Sequence, residues 1–90
     1  MGTARDEIAA AKARKGCLGK AAPDEPVFIL RARDVLAPNA VERWADELQM
    51  AMSSQGATSP ARDTAKIREA RALAHQMRAW QALHGSKLPD

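Results

Sequence analysis

Large apolar side chains are what this chain lacks, and that shortage limits every fold open to it. Hydrophobic residues make up 46% of its 90 positions, yet 20 of them are Ala and one is Cys17. Only 20 large apolar side chains remain, with one Phe (Phe28), two Trp (Trp44, Trp80) and no Tyr. A chain of this size buries only about 60% of its unfolded surface. One small domain over residues 1–90 is therefore expected, with a thin core and a tendency to self-associate. The same counts exclude a large multidomain enzyme. A lone cysteine excludes a disulfide scaffold. The longest run of large apolar residues, Val27-Phe28-Ile29-Leu30, is far short of the roughly 20 needed for a membrane span. The charged N-terminal stretch contains no apolar run of secretory type, so a cytoplasmic protein is expected.

The hydrophobic spacing predicts a mainly α fold, a small helical domain with an antiparallel helical hairpin and one short strand or extended segment. A first helix is expected at about 3–15, capped by Thr3, with Asp6 in its first turn and Gly16 as its stop. Ile8 is its one large apolar residue, so it needs a partner. A loop and strand should occupy 16–36, with residues 27–33 as the strand. A second helix is expected at about 38–54, where Val41, Trp44, Ala45, Leu48, Ala51 and Met52 share a face. Residues 55–58 read as a loop. Ser59 and Pro60 then open a third helix, about 60–84, whose stripe is Ile67, Ala70, Leu73, Ala74, Met77 and Trp80. The outer face of the second helix is acidic and that of the third is basic, which favours folding back. Trp44 and Trp80 should face one another across the hairpin, and the end from Lys87 should fray.

Net charge is +3, which favours anionic partners without marking a nucleic-acid tail. Gly16-Cys17-Leu18-Gly19-Lys20 has too few residues between its glycines for a nucleotide-binding loop, and Ala21 stands where Ser or Thr would hold magnesium. It echoes the GxxG loop that clamps a nucleic-acid backbone, but Pro23 interrupts the helix such a loop needs. A helix stop followed by a basic turn explains it more simply. An anion nest flanked by Lys15 and Lys20 lies between these readings. Arg31 and Arg33 share one face of the expected strand and need a counter-charge, from Asp34, from Asp24 and Glu25 of another chain, or from a phosphate. Arg68, Arg71 and Arg78 lie with His75 on one arc of the third helix. They read as a solvated face or a nucleic-acid face. Cys17 has no histidine near it in sequence, so a buried structural thiol is expected and no catalytic residue is assigned. Cys17, His75 and His84 lack paired spacing for a metal, and no cofactor is implied.

Cys17-Leu18-Gly19-Lys20-Ala21, Asp24-Glu25-Pro26-Val27-Phe28, Leu30-Arg31, Asp34 and Leu36-Ala37-Pro38 together resemble a pattern in small bacteriophage and prophage proteins. The stretch Glu69-Ala70-Arg71-Ala72-Leu73-Ala74, with Met77 and Trp80, is similar to theirs as well. The resemblance spans roughly residues 15–80 and brings no catalytic residues. It implies a phage context, in the host cytoplasm, where small proteins often bind and sequester a host component. The resulting expectation is a non-enzymatic, homo-oligomeric accessory protein that binds an anionic ligand, such as a nucleotide signal of host defence. Its ligand residues would be Lys15, Lys20, Arg31 and Arg33, oriented by Asp34. The alternatives are a small nucleic-acid-binding or regulatory protein using Arg68, Arg71 and Arg78, and a structural or adaptor oligomer.

Overall fold

The computed structural model describes residues 2–55 and 60–88, with side chains at all of these except 55 and 60–63. The expected loop at 56–58 and the Ser59 cap fall outside the described residues.

Among the described residues four helices follow one another: α1 (Ala4–Lys12), α2 (Gly16–Lys20), α3 (Ala37–Gln55) and α4 (Pro60–His84). Thr3 caps α1 reciprocally. The Asp6 N–H donates to Thr3 Oγ1 at 3.3 Å, and the Thr3 N–H donates to Asp6 Oδ2 at 3.4 Å. This capping box satisfies two helix-start donors at once. The helix ends three residues earlier than its sequence suggests, because Arg14 takes the left-handed conformation (φ 56°). The Lys15 N–H then donates to the Ala10 carbonyl at 2.7 Å and the Arg14 N–H to that of Ala11 at 3.0 Å, which is a Schellman closure. Gly16 also has positive φ (69°), but it opens α2 rather than closing α1. The expected loop at 16–20 is thus a short helix packed on α1. Gly19 is required there, since a Cβ would lie 2.6 Å from the carbonyl carbon of Arg14. Among the described residues, α1 and α2 touch each other and neither packs on α3 or α4.

The body of the fold is the α3–α4 pair, which runs antiparallel: Asn39 reaches Arg78, and Asp46 reaches Arg71. Ala45, Ile67 and Ala70 form its centre, with Val41, Leu48 and Met52 packed against them. Ala37, Ala45, Ala70 and Ala74 are fully buried, whereas no large side chain among the described residues is. The seam is therefore narrower than the apolar stripes suggest. It uses 41, 45, 48 and 52 against 67, 70, 74 and 77, the alternating three- and four-residue spacing of a coiled-coil seam. Trp44 falls off that line and is 48% exposed. Trp80 is half-buried and pairs with His84 and Arg33 instead. The expected Trp44–Trp80 contact does not form.

No strand forms among the described residues, and the expected strand at 27–33 is corrected accordingly. Asp34 makes one isolated parallel bridge to Lys87, and the rest of the segment has no ladder. A strand needs a neighbouring edge, and the segment lies beside a helix and a short tail. Lys87, expected to fray, is held by that bridge. The architecture is a small, mainly α-helical domain.

Two outcomes test this description. Ala70→Leu forces a branched side chain into a seam that has no room for it and should cost about 1–3 kcal/mol. A melting temperature within a degree of wild type would refute the seam. Arg14→Gly removes a left-handed penalty of about 1–2 kcal/mol and should slow hydrogen exchange at the Lys15 amide.

Candidate anion-binding site

The segment between α2 and α3 is strapped across one end of the hairpin. Gln81 continues the seam spacing by one step from Met77. Its part-buried Nε2 donates to the carbonyls of Ala32 (2.7 Å) and Asp34 (3.0 Å). Beyond α4, Gly85 (φ 83°) turns the chain back along the strap. The Val35 N–H there donates to the Lys87 carbonyl at 2.9 Å, and the Lys87 N–H to the Arg33 carbonyl at 3.0 Å. One amide side chain and two backbone bonds therefore fix residues 32–35 to the end of α4. Gln81 has little prominence in the sequence, because Gln near the end of a helix is ordinary. Its one legible signal is that it continues the seam register.

Asp34 starts α3. Its Oδ1 accepts from the Leu36 N–H at 2.8 Å and its carbonyl accepts from the Ala37 N–H at 3.0 Å. This Asx turn stabilises a helix entry and occupies a carboxylate oxygen that was expected to orient Arg31 and Arg33.

The strap and tail enclose a depression of about 300 Å³ lined by Phe28, Ile29, Arg31, Arg33, Asp34, Lys87 and Leu88. Arg33 is held in place by Trp80, its Cζ lying 5.3 Å from the ring centroid, a cation–π contact worth about 0.5–1 kcal/mol at an exposed site. His84 stacks on the same indole, ring centroids 4.4 Å apart. Asp34 is the one carboxylate lining the depression among the described residues. Three cationic side chains therefore share its wall with three apolar ones.

The structure brings Arg31, Arg33 and Asp34 together but not Lys15 and Lys20, which flank α2 and do not line the depression. The two glycines there serve local backbone needs. Cys17, expected to be buried, is exposed. The arginine arc on α4 is largely engaged. Arg71 Nη1 pairs with Asp46 Oδ1 at 2.9 Å while Nη2 donates to Gln49 Oε1 at 2.9 Å. Arg78 pairs with Glu42 and donates to Asn39 Oδ1 at 3.0 Å. Arg68 and His75 are exposed and have no such partner among the described residues. Also among the described residues, no group of three His, Cys, Asp or Glu side chains could hold a metal, and no helix is long and apolar enough to cross a membrane. No family model, no curated protein and no solved structure matches this chain.

If Gln81 fastens the strap, Gln81→Leu should leave the Ala32 carbonyl unpaired and that of Asp34 with the Ala37 N–H alone, at a cost of about 1–3 kcal/mol. Trypsin should then cut sooner after Arg31 and Arg33 while the helical circular dichroism persists. Unchanged cleavage would show that the backbone bonds to Lys87 suffice.

Proposed function

We propose that this protein is a small, non-enzymatic, self-associating accessory protein that binds an anionic ligand bearing an apolar or aromatic part, a nucleotide being the best chemical fit. One observation carries this reading: Arg31 and Arg33 reach one depression beside exposed Phe28, while the carboxylate of Asp34 is turned to the start of α3. Two guanidiniums offer paired donors to a phosphate, and an aromatic face beside them suits a base. Arg33 is the central residue, since Trp80 already orders its side chain and less freedom is lost on binding. Lys15 and Lys20 drop out of the site. The phage and host-cytoplasm setting rests on the sequence pattern around residues 17–38.

The nucleic-acid alternative is weaker, because Arg71 and Arg78 would have to leave their partners on α3 before meeting a phosphate. Of that arc, only Arg68 and His75 have no partner to give up among the described residues.

Calorimetric titration with adenosine triphosphate and with a cyclic dinucleotide tests the reading. Wild type should bind at least one of them. Arg33→Ala should weaken binding tenfold or more, about 1.4 kcal/mol, and Lys20→Ala should change it little. Binding that survives Arg33→Ala would remove the site. Duplex DNA binding that falls steeply with salt and is abolished by Arg68→Ala would favour the alternative.

A further inference from the structure

The segment leading into the site, two of whose residues line it, is the most exposed apolar stretch among the described residues. Phe28 is 85% exposed, Ile29 65% and Val27 55%, whereas Leu30 behind them is half-buried. None of the N–H groups of 27–30 donates to a protein acceptor among the described residues.

Charge along the segment indicates the occupant. Asp24 and Glu25 precede the apolar residues, and Arg31 and Arg33 follow them. The Glu25 carboxylate is exposed, and one of its oxygens accepts from the Ala22 N–H at 3.2 Å. Glu25 and Arg31 each stand three residues from Phe28, on opposite sides. A segment acidic at one end, apolar in the middle and basic at the other is complementary to itself when reversed. Parallel apposition would instead set Glu25 against Glu25 and Arg31 against Arg31, which like-charge repulsion disfavours.

We infer that residues 24–31 form the contact with a second copy of this chain, the two segments lying antiparallel about a two-fold axis at Phe28, with Glu25 of each copy beside Arg31 of the other. This rests on the self-association proposed above and specifies its surface. A two-fold contact of this kind is isologous, so each copy supplies both charges. Phe28 covers its twin at the axis, and Ile29 and Val27 flank it. Pairing takes up Arg31 and the Phe28 face, which also line the depression, so the second copy and an anionic ligand compete for them, while Arg33, held by Trp80, stays outside the contact.

Sedimentation velocity with charge-reversed variants tests the contact. Wild type should sediment at twice its 9.7 kDa at micromolar concentration. Glu25→Arg and Arg31→Glu should each be monomeric there with helical content kept, since each sets two like pairs at its own interface. Mixed in equimolar amounts, the two variants should form a heterodimer, because every Arg then meets a Glu. The double variant Glu25→Arg/Arg31→Glu should dimerise alone. Dimers of both single variants as tight as wild type would overturn this interface while leaving self-association standing. A monomeric wild type would overturn both, and its co-sedimentation with vesicles of anionic lipid would assign the apolar segment to a membrane surface instead.

Discussion

Close approach of α3 and α4 through alanine is the constraint on which the rest of the structure depends. Ala45, Ala70 and Ala74 disappear from solvent completely and lose no side-chain entropy in doing so. Each also removes little apolar area from water, so the seam yields less than one built of Leu or Phe. Two features compensate. The acidic face of α3 and the basic face of α4 meet at Asp46–Arg71 and Glu42–Arg78, which sets orientation more than stability because the pairs are partly exposed. At the open end, a strap and tail close over the helices and are tied by backbone hydrogen bonds and Gln81.

That closure creates the candidate site. A segment that failed to become a strand still had to satisfy its carbonyls, and Gln81 and the Lys87 backbone were the available donors. Fastening residues 32–35 brings Arg31 and Arg33 beside the tail and lays Arg33 over Trp80. The apolar residues ahead of them have no helix face left to cover, so they stay in solvent. A thin seam thus accounts for both the cationic depression and the bare apolar segment beside it.

How much of the site was legible depends on how far each interaction reaches along the chain. Arg31 and Arg33 could be singled out because two guanidiniums next to an apolar run demand a counter-charge. Lys15 and Lys20 stand near them in sequence, but the Schellman turn at Arg14 and the close approach of Gly19 keep that basic pair with α1 and α2. Asp34 suggests a partner for arginine in the sequence alone, whereas a carboxylate three residues ahead of a helix start finds a backbone N–H nearer. The α4 arginines looked like a free face because one helix viewed alone hides the acids that its neighbour presents.

Local rules were enough to locate α1, α3 and α4 but not α2, whose residues read as a loop. Apolar periodicity placed α3 and α4, Thr3 and Asp6 marked the start of α1, and the scarcity of large side chains foretold a thin core and an exposed surface. Each of these rests on residues a few positions apart, and a single sequence shows such spacing directly. The tertiary structure alone decided which flank of each stripe became the seam, where Gln81 would point and which arginines would be occupied. It also decided that residues 27–33 would remain outside any sheet. These outcomes turn on partners 20 to 50 residues away, such as Asp46 for Arg71 and the Ala32 carbonyl for Gln81. Ladder pairing needs an edge that only the assembled chain can provide, and packing between two alanine faces selects the seam only once the helices have met.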